Sequence, residues 1–396
     1  MINYDVIIIG GGAAGLACGV RLAENSGLKI LIIEAGERAG KKLAATGNGQ
    51  GNVSNAHISV ANYRSGNLAV VEKVACGQQN GEWSEGLDVF GSTFYARDEK
   101  GRIYPSGRQA SALVDALLRK LNRHGIEILL STKVMAIKKG FEVTVEDGRK
   151  FICKYLVMAT GGKAQKQFRT DGSAYKLAES LGHRITPLYP SLVQLKTDTK
   201  YTKMLKGIRT ECEVTAMING QAVRTEVGDV IFTEYGVSGN AIFSISPSFS
   251  SRCGTLEIDL LREYSVEQVI EALKGRIAEG IPHYELLSGI VHNQIGRAVI
   301  KRATAESANN SVNMQKIAET LKKFTIEVTG TLGFDYAQVT HGGVDMRDIS
   351  DNLESKLVKN LYFAGEILDV DGDCGGYNLH WAFTSAKAVA NALLAL

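Results

Sequence analysis

The residues of this sequence whose types and spacing could do chemistry begin with a glycine pattern near the amino terminus. Gly10, Gly12 and Gly15 stand at the spacing GxGxxG, and the acidic Glu34 follows them. In dinucleotide sites the first glycine permits a tight turn, the second lets the backbone approach a pyrophosphate, and the third lets a helix pack closely on a strand. An acidic residue about 20 positions further on accepts hydrogen bonds from ribose hydroxyls and disfavours a 2′-phosphate. The pattern predicts a site for the ADP part of FAD or NAD.

The segments around these glycines are those that such a site requires. Residues 5–9 (DVIII) form a β-branched run typical of a buried parallel strand, and residues 29–33 (KILII) form another. Between them Leu16, Val20 and Ala23 recur at helical spacing. We therefore expect a strand, a tight turn, a helix and a second strand, which makes a turn that serves only helix packing the weaker alternative.

Three further segments offer a backbone with few side chains. Residues 45–55 (ATGNGQGNVSN) contain three glycines and three asparagines, residues 159–162 (ATGG) end a predicted strand, and residues 365–376 are rich in glycine and aspartate. The last segment lies between an apolar run at residues 361–364 and a helical pattern that begins at Tyr377. NAD-dependent dehydrogenases seldom need a second junction of this kind, whereas the large, flat ring of a flavin needs backbone along it. These segments favour FAD over NAD.

The composition is that of a globular enzyme. The 396 residues exceed the size of one hydrophobic core, which predicts two or three domains. The net charge of +3, from 45 basic and 42 acidic residues without a long run of like charge, gives no indication of a nucleic-acid partner.

Cysteine usage and hydropathy bear on the compartment. The six cysteines are widely spaced without a CxxC pair, as in a reduced cytosolic protein, and neither a signal peptide nor a membrane span is indicated. We expect a cytoplasmic protein with no metal and no membrane partner.

The middle of the chain changes character at Pro187 and Pro190, where we place a domain boundary. Before it, residues 110–121 predict an amphipathic helix, and Asp147-Gly148 predicts a hairpin turn. After it, residues 191–262 alternate as antiparallel strands do, with a hairpin turn at Asn219-Gly220. Three helical patterns follow at residues 265–280, 284–303 and 313–324, and a strand pattern resumes at residue 325.

Several of these stretches together resemble a bacterial family, the HI0933-like or aminoacetone-oxidase-like FAD-binding oxidoreductases, which includes a bile-acid-modifying flavin reductase. The matching stretches span nearly the whole chain: IIIGGGAAGL, IIEAGERAGKKLAATGNG, GRIYPSGRQASALVDAL, TDGSAYKLAESLGH, VIFTEYGVSGNAI, VTHGGV and LYFAGEILDVDGDCGGYNLHWAF. The resemblance implies an α/β fold: a Rossmann-like FAD-binding domain (residues 1–187 and 342–396) with an inserted β-barrel-like domain (188–263 and 325–341). A small helical insertion (264–324) would lie within the barrel-like domain.

The chain departs from the family's pattern at four positions. Members commonly have Arg-Cys where this chain has Gln50-Gly51, a proline at Asn240 and a threonine at Cys374. FAD binding depends on backbone and glycines, so these departures concern the chemistry near the ring.

The glycine patterns and the resemblance together predict the residues that hold FAD. In the family the ATGNG segment runs beside the flavin ring and ribityl chain. Side chains there would collide with the cofactor, which explains why the segment uses glycines. The predicted cofactor-binding residues are Gly10, Gly12, Ala13, Ala14, Gly15, Glu34, Ala35, Lys42, Leu43, Gly47, Asn48, Gly49, Gly51, Asn52, Val134, Ala159, Thr160, Gly161, Gly365, Glu366, Asp369, Gly375, Gly376, Tyr377, Asn378 and Leu379.

Candidate catalytic residues are His380, Tyr235 and Cys374. His380, on the first turn of the last helix, could donate a proton, Tyr235 could face a substrate, and Cys374 could be redox-active. Ordinary packing is the alternative for each. Asp369, Asp371 and Asp373 begin like a calcium loop, but Cys374 and His380 replace its glycine and glutamate, so no metal is expected. His341 is interpreted as marking the return of the chain to the FAD-binding domain.

The leading hypothesis is a FAD-dependent oxidoreductase that transfers a hydride between flavin N5 and a small organic substrate, for example one with an activated double bond. If NAD(P)H reduces the flavin, it would have to bind transiently, because the chain has no second GxGxxG unit. The alternatives are a tRNA-modifying flavoprotein, a flavin-binding protein without turnover and a plain NAD dehydrogenase. The sequence does not indicate an oligomeric state.

Overall fold

The computed structural model describes residues 2–77, 82–307 and 313–396. They divide into two compact units, Met1–Tyr189 with Val339–Leu396, and Pro190–Gln338. The chain leaves the first unit after Tyr189 and returns to it at Val339. Whether residues 264–324 fold as a domain of their own stays a prediction.

The first part of the first unit alternates short strands with helices. Its strands are β1 (Ile2–Ile9), β2 (Ile30–Ile33), β3 (Ser54–Asn55), β4 (Tyr63–Ser65), β5 (Tyr95–Arg97), β6 (Arg102–Pro105), β7 (Glu127–Leu129), β8 (Val134–Lys138), β9 (Glu142–Val145) and β10 (Lys150–Met158). Its helices are α1 (Ala13–Asn25), α2 (Lys41–Ala45), α3 (Leu68–Val71), α4 (Ala110–Arg123) and α5 (Ser173–Ser180). The predicted hairpin turn at Asp147-Gly148 joins β9 to β10, which pair antiparallel.

Along the sequence, the elements of the second unit come between the two parts of the first. Strand β11 (Tyr189–Ser191) stands at the boundary, and the strands that follow are β12 (Leu195–Thr197), β13 (Arg209–Ile218), β14 (Gln221–Phe232), β15 (Gly236–Ser238), β16 (Gly254–Asp259) and β17 (Phe324–Thr331). The helices are α6 (Thr199–Thr202), α7 (Asn240–Ile245), α8 (Val266–Ala278), α9 (Asn293–Ala305) and α10 (Met314–Lys322).

The strands of the second unit close into an antiparallel barrel in the order β12-β15-β14-β13-β16-β17. Asn219 and Gly220 both have positive φ, 51° and 75°, as the tight hairpin turn between β13 and β14 requires. The helices α8, α9 and α10 lie in sequence between the neighbouring strands β16 and β17 and bury apolar residues in the barrel's own core. The sequence therefore identified the inserted barrel and its helical insertion correctly.

One predicted helix is shorter than its pattern. Residues 284–303 were expected to be helical, but α9 begins only at Asn293. Gly289 has a positive φ of 75°, which interrupts the preceding turn, and the side chain of His292 accepts from the backbone N–H of Gln294 as a helix cap. Arg276 donates to the carbonyl of Ser288 and satisfies part of this irregular backbone. Local caps and turns thus override the apolar spacing.

The returning chain completes the first unit with β18 (Val339–His341), β19 (Leu361–Phe363), β20 (Val370–Gly372) and the long helix α11 (Tyr377–Leu394). The main sheet has the order β7-β2-β1-β10-β9-β8, and β19 pairs with β10. The strands β7, β2, β1, β10 and β19 run parallel. Helices α1 and α11, from opposite ends of the chain, pack against each other. The parallel sheet and the closed barrel together confirm the predicted fold class.

Buried apolar residues explain the sheet and its helices. Ile7 and Ile8 of β1 and Leu31 and Ile32 of β2 are fully buried, as expected for parallel strands covered on both faces. A side chain at Gly19 of α1 would lie 2.8 Å from Ile32, so the missing side chain lets this helix lie close to the sheet. Within the described residues, no helix is both long and apolar enough to cross a membrane.

Candidate dinucleotide site at the carboxyl edge of the sheet

The register of the parallel strands brings their carboxyl ends into one row. Ile9 of β1 pairs with Ile33 of β2 on one side and with Met158 of β10 on the other, and Met158 pairs with Phe363 of β19. Strand β2, which follows β1 in sequence, pairs with one edge of β1, and β10 pairs with the opposite edge. The strand order therefore reverses direction at β1. Open α/β sheets bind their ligands at such a switch point, outside the carboxyl ends of the strands.

Two glycines of the amino-terminal pattern are required by close backbone approach. Gly10 has a φ of 106°, and a β carbon on it would lie 2.3 Å from the carbonyl oxygen of Ala159. A β carbon on Gly15 would lie 1.9 Å from the carbonyl oxygen of Gly10. The turn after β1 is thus wedged between α1 and the turn after β10, and larger residues would force these segments apart.

Gly12 is different, because its missing side chain leaves open space. A β carbon there would meet no atom within 4 Å. Gly12 caps α1, which begins at Ala13, without a side-chain hydrogen bond and without an acidic residue in the first turn. The free N–H groups and the positive end of the helix dipole are therefore available to an anion, such as a pyrophosphate.

Glu34 lies directly after β2 and its side chain faces the same turn. Its two carboxylate oxygens accept from the backbone N–H of Gly11 at 2.7 Å and of Gly36 at 2.6 Å. Each oxygen keeps a further lone pair, which suits a ribose hydroxyl. The carbonyl oxygen of Glu34 accepts from the N–H of Thr132, so the chain just before β8 and its first residue, Val134, lies near this position.

The segment that follows α2 runs through left-handed backbone. Gly47, Asn48, Gly49 and Gly51 have φ values of 62°, 55°, 81° and 77°. The carbonyl oxygen of Gly49 accepts from the N–H of Ala110 at the start of α4, which fixes the segment in place. A β carbon on Gly49 would meet nothing within 4 Å, so this backbone faces open space.

The turn after β10 is held by the returning chain. Thr340 of β18 accepts through Oγ1 from the N–H groups of Lys163 and Ala164. Its own N–H donates to Glu366 Oε1, and Glu366 Oε2 lies 2.8 Å from Lys42 Nζ in α2. Three segments that are far apart in sequence thus meet at the carboxyl edge of the sheet.

The turn itself contains the predicted residues Ala159, Thr160 and Gly161. The N–H of Ala159 donates to the carbonyl of Ile9, and Gly161 has a φ of 70°. The hydroxyl of Thr160 is buried and has no hydrogen-bond partner among the described residues. Because buried hydroxyls are usually satisfied, this one indicates a ligand or a water at the turn.

Gly365 brings the carboxyl-terminal segment against the amino-terminal pattern. A β carbon on Gly365, whose φ is 75°, would lie 2.9 Å from the side chain of Ala14 in α1. Its N–H donates to Ser385 Oγ and its carbonyl accepts from Trp381 Nε1, both on α11. The predicted cofactor residues near the two ends of the chain are therefore neighbours.

The start of α11 is fixed by the segment around β3. Gly376, with a φ of 103°, precedes the helix, and a β carbon on it would lie 2.2 Å from the carbonyl oxygen of Ser54. The side-chain carbonyl oxygen of Asn52 accepts from the N–H of Gly376 at 3.1 Å, and the side-chain amide of Asn55 donates to the carbonyl of Gly375. No side chain caps the helix, so its positive end is available.

The remaining predicted cofactor residues lie around these turns and differ in exposure. Ala13 opens α1, Ala35 follows Glu34, and Leu43 of α2 is buried. Asp369 is buried, and burial raises the pKa of its carboxyl group. Tyr377, Asn378 and Leu379 form the first turn of α11, where Asn378 exchanges two hydrogen bonds with the backbone of Gly372.

The three predicted catalytic residues occupy different environments. His380 is fully buried, with Nδ1 3.0 Å from Ser54 Oγ and Nε2 2.8 Å from the carbonyl oxygen of Ala75, and burial lowers its pKa to about 4. These contacts are those expected for the packing alternative, because both ring nitrogens face partners within the protein, and a role of His380 in proton donation stays a prediction. Cys374 is half-buried between Asp373 and Gly375. Tyr235 lies in the second unit, where its carbonyl accepts from Thr197.

A charged cluster beside β20 was not identified from the sequence. His341 Nδ1 lies 2.6 Å from Asp371 Oδ1, and Arg64 of β4 donates through Nε to Asp371 Oδ2 and through Nη1 to Asp373 Oδ1. Arg64 and the aspartates come from distant segments, so no spacing links them. The signal available in the sequence was a histidine, a proton-transfer residue, in VTHGGV at the point of return.

The chemistry of this edge fits an anionic dinucleotide. One uncapped helix start with open space at Gly12 suits a pyrophosphate, Glu34 suits a ribose, and the open space at Gly49 leaves room for a ligand. The unsatisfied hydroxyl of Thr160 adds a donor that needs a partner.

Comparison with known proteins agrees with this geometry. A family model described as the HI0933-like protein Rossmann domain matches residues 4–392. The chain is 32% identical over 404 residues to the 3-dehydro-bile acid delta(4,6)-reductase of Clostridium scindens, in an alignment that covers 97% of this chain and 98% of that protein. It is 30% identical over 415 residues to the ribosomal RNA dihydrouridine synthase of Escherichia coli, in an alignment that covers 100% of this chain and 99% of that protein.

A solved structure with a similar fold is the 3-ketosteroid-delta4-(5alpha)-dehydrogenase from Rhodococcus jostii RHA1 in complex with 4-androstene-3,17-dione. The TM-score is 0.50 at 14% identity, over 99% of this chain and 97% of that one. At this identity the likeness concerns the fold alone.

Proposed function

The chain belongs to the HI0933-like Rossmann-domain family and is a flavin-dependent oxidoreductase, as the sequence resemblance indicated, and from this premise we propose a specific reaction. The flavin is FAD, and the reaction adds hydrogen across a carbon–carbon double bond conjugated to a carbonyl group in a small organic substrate. The observation that supports the FAD site is the meeting of Gly365 with Ala14, which brings the carboxyl-terminal segment against the start of α1 at one edge of the sheet.

The proposal gives each group at this edge a role in binding. The first turn of α1 at Gly12 would hold the pyrophosphate, and Glu34 would accept from the ribose of the adenosine. The bare backbone of Gly47 to Gly51 would lie along the cofactor, and the positive start of α11 would favour an electron-rich ring edge. Thr160 would find its missing hydrogen-bond partner there.

FAD bound at this edge would supply the redox chemistry, a hydride given or taken at its ring. The chain's own contribution is to orient the ring and to exclude water from it. Lys42 and Glu366 neutralise each other, so neither leaves an unpaired charge beside the cofactor. Their pairing also fixes α2 to the returning chain.

The substrate class is supported by what two full-length relatives have in common. One is named for the reduction of delta(4,6) double bonds in a 3-dehydro bile acid, and the other for making dihydrouridine in ribosomal RNA. Both names describe hydrogen added to a carbon–carbon double bond conjugated to a carbonyl group. We propose the same bond type for this chain and a reduced nicotinamide as the reductant, which would bind only transiently because the chain has no second GxGxxG unit.

A second candidate substrate is a uridine in RNA. The observation in its favour is the 30% identity to the Escherichia coli enzyme over the full length of both chains. The near-balanced net charge of +3 argues against it, because proteins that bind nucleic acid usually carry an excess of basic residues.

Anaerobic half-reactions test the proposal. The purified protein would be reduced with NADH, NADPH or dithionite and then mixed with 3-oxo-Δ4 steroids, small cyclic enones or unmodified ribosomal RNA. Rapid return of flavin absorbance with an enone, and a product heavier by two hydrogens, are the expected results. Reoxidation by RNA but not by any enone would establish the second candidate, and reoxidation by neither would refute the proposed reaction.

A further inference from the structure

The charged cluster around His341 lies next to the proposed cofactor segments. His341 follows Thr340, whose N–H binds Glu366 and whose hydroxyl binds the turn after β10. Its partner Asp371 lies on β20, between Gly365 and Gly376, the two glycines that fix the carboxyl-terminal segment. The imidazole is thus attached to the same framework as the proposed cofactor site.

The ring of His341 is held on one side and free on the other. Nδ1 lies 2.6 Å from Asp371 Oδ1, and the ring of Tyr189 stacks on the imidazole with centroids 6.2 Å apart and planes at 29°. Nε2 has no hydrogen-bond partner among the described residues. Its side chain is 32% exposed, whereas that of Asp371 is 0% exposed. A buried carboxylate therefore orients an imidazole whose other nitrogen is accessible.

The groups that face this imidazole favour its protonated form. Asp371, and more weakly Asp369, raise the pKa of His341, while burial and Arg64 of β4 act in the opposite direction. The hydrogen bond that His341 Nδ1 donates to Asp371 is the largest contribution to the raised pKa, so the protonated form persists to higher pH than in a free histidine. Arg64 in turn holds Asp371 through Nε at 3.0 Å, which fixes the carboxylate on its side away from His341.

We propose that His341 is the proton donor of this oxidoreductase, with Asp371 as its positioning residue and a conjugated enone as the acceptor. This inference rests on the proposed function. Reduced FAD, when bound at this edge, would supply the hydride that the β carbon of the enone gains and would be oxidised in return. The α carbon gains a proton from His341 Nε2, and the double bond becomes a single bond. Bulk water returns the proton to His341, and a reduced nicotinamide or dithionite restores the reduced flavin.

His341 suits the role of proton donor better than His380, which lies in the first turns of α11. His380 is fully buried, both of its nitrogens have partners, and burial lowers its pKa to about 4. His341 has a free nitrogen, access to solvent and a raised pKa. A general acid needs these properties, since it must hold a proton at working pH and recover it after transfer.

The kinetic test measures flavin reduction and flavin reoxidation separately in the variants His341→Gln and Asp371→Asn. Both variants should keep wild-type FAD content and be reduced by dithionite at the wild-type rate. With 2-methylcyclohex-2-en-1-one as probe, reoxidation of His341→Gln should slow at least about a hundredfold, the usual range for loss of a general acid. In D₂O the wild type should place deuterium on one face of the α carbon, and His341→Gln should lose this selectivity. The matched control is His124→Gln, since His124 is exposed.

A second readout does not depend on turnover. The imidazole of His341, identified in the NMR spectrum by its absence from His341→Gln, should titrate above 6.5 in the wild type and at lower pH in Asp371→Asn. Titration at or below 6.5 in the wild type would overturn the inference. So would wild-type reoxidation and stereoselectivity in His341→Gln, which would leave the proposed function intact. A wild-type flavin that no enone reoxidises would remove both proposals.

Discussion

Lys42 Nζ lies 2.8 Å from Glu366 Oε2, although 324 residues separate them in sequence. The side chains are 25% and 19% exposed, so the pair is largely shielded from water. Glu366 also accepts from the N–H of Thr340. This ion pair links α2, and the glycine-rich residues 47–51 after it, to the carboxyl-terminal part of the chain. It explains why the proposed site needs both ends of the polypeptide.

Loss of this ion pair should loosen the site. We expect Lys42→Met and Glu366→Gln each to lower the free energy of unfolding, with a coupling energy of about 1 kcal/mol between them in a double-mutant cycle. Urea denaturation of the four proteins measures it. Lys41→Met is the control, because exposed Lys41 contacts only the exposed Glu37 at 3.4 Å. Additive effects of the two substitutions would show that the pair contributes nothing.

Gly12→Val should separate folding from cofactor binding. Gly12 has a φ of −84° and open space at its β position, so valine fits the FAD-free protein and should change its stability by less than about 0.5 kcal/mol. The same side chain would occupy the place proposed for the pyrophosphate, and FAD affinity should fall by roughly a hundredfold, or about 3 kcal/mol. Titration calorimetry with FAD measures this. Gly27→Val, at an exposed open position, should bind FAD normally, and equal affinity in both variants would contradict the placement.

Gly49→Ala should cost more in FAD binding than backbone strain alone explains. Gly49 and Gly220 have similar φ values, 81° and 75°, and open space at the β position, so alanine should strain each by about 1 kcal/mol. Only Gly49 belongs to the proposed cofactor site, because Gly220 lies in the barrel hairpin. Both variants should therefore lose similar stability without FAD, and only Gly49→Ala should bind FAD more weakly. Equal FAD affinity would remove the 47–51 segment from the site.

His380 should make stability depend on pH. Burial lowers its pKa from 6.5 to about 4, so the unfolded chain binds the proton more readily than the folded protein does. The stabilisation is complete above pH 6.5 and is lost as the pH falls towards 4, by about 3 kcal/mol in total. Urea unfolding from pH 4 to pH 7 should give this slope in the wild type and in His124→Gln, and a flatter one in His380→Gln. An unchanged slope in His380→Gln would assign the effect to other groups.

Patterns with local causes were predicted well from the sequence. Gly15 is a glycine because its β carbon would collide with the carbonyl of Gly10 within one strand, turn and helix unit, and the hairpin turn at Asn219-Gly220 depends on two adjacent residues. The buried parallel strands, the antiparallel strands of the second unit and the helices between them follow from hydrophobic spacing in the same way, whereas the barrel was implied by the family resemblance.

What failed or was missed depends on contacts between distant segments or on local caps. The pattern at residues 284–303 is apolar at helical spacing, yet Gly289 and the cap at His292 delay the helix to Asn293. The importance of His341 rests on Asp371 and Arg64, and that of Lys42 on Glu366, which no spacing in the sequence connects. The assignment of individual residues to FAD, the domain limits and the role of Tyr235 stay predictions.

The cofactor itself provides the most direct test. The purified protein would be denatured, and the released ligand identified and quantified by chromatography and visible absorption. We expect FAD in a ratio close to one per chain, or stoichiometric uptake of FAD by protein purified without it. Folded protein that contains no flavin and does not bind added FAD would contradict the account.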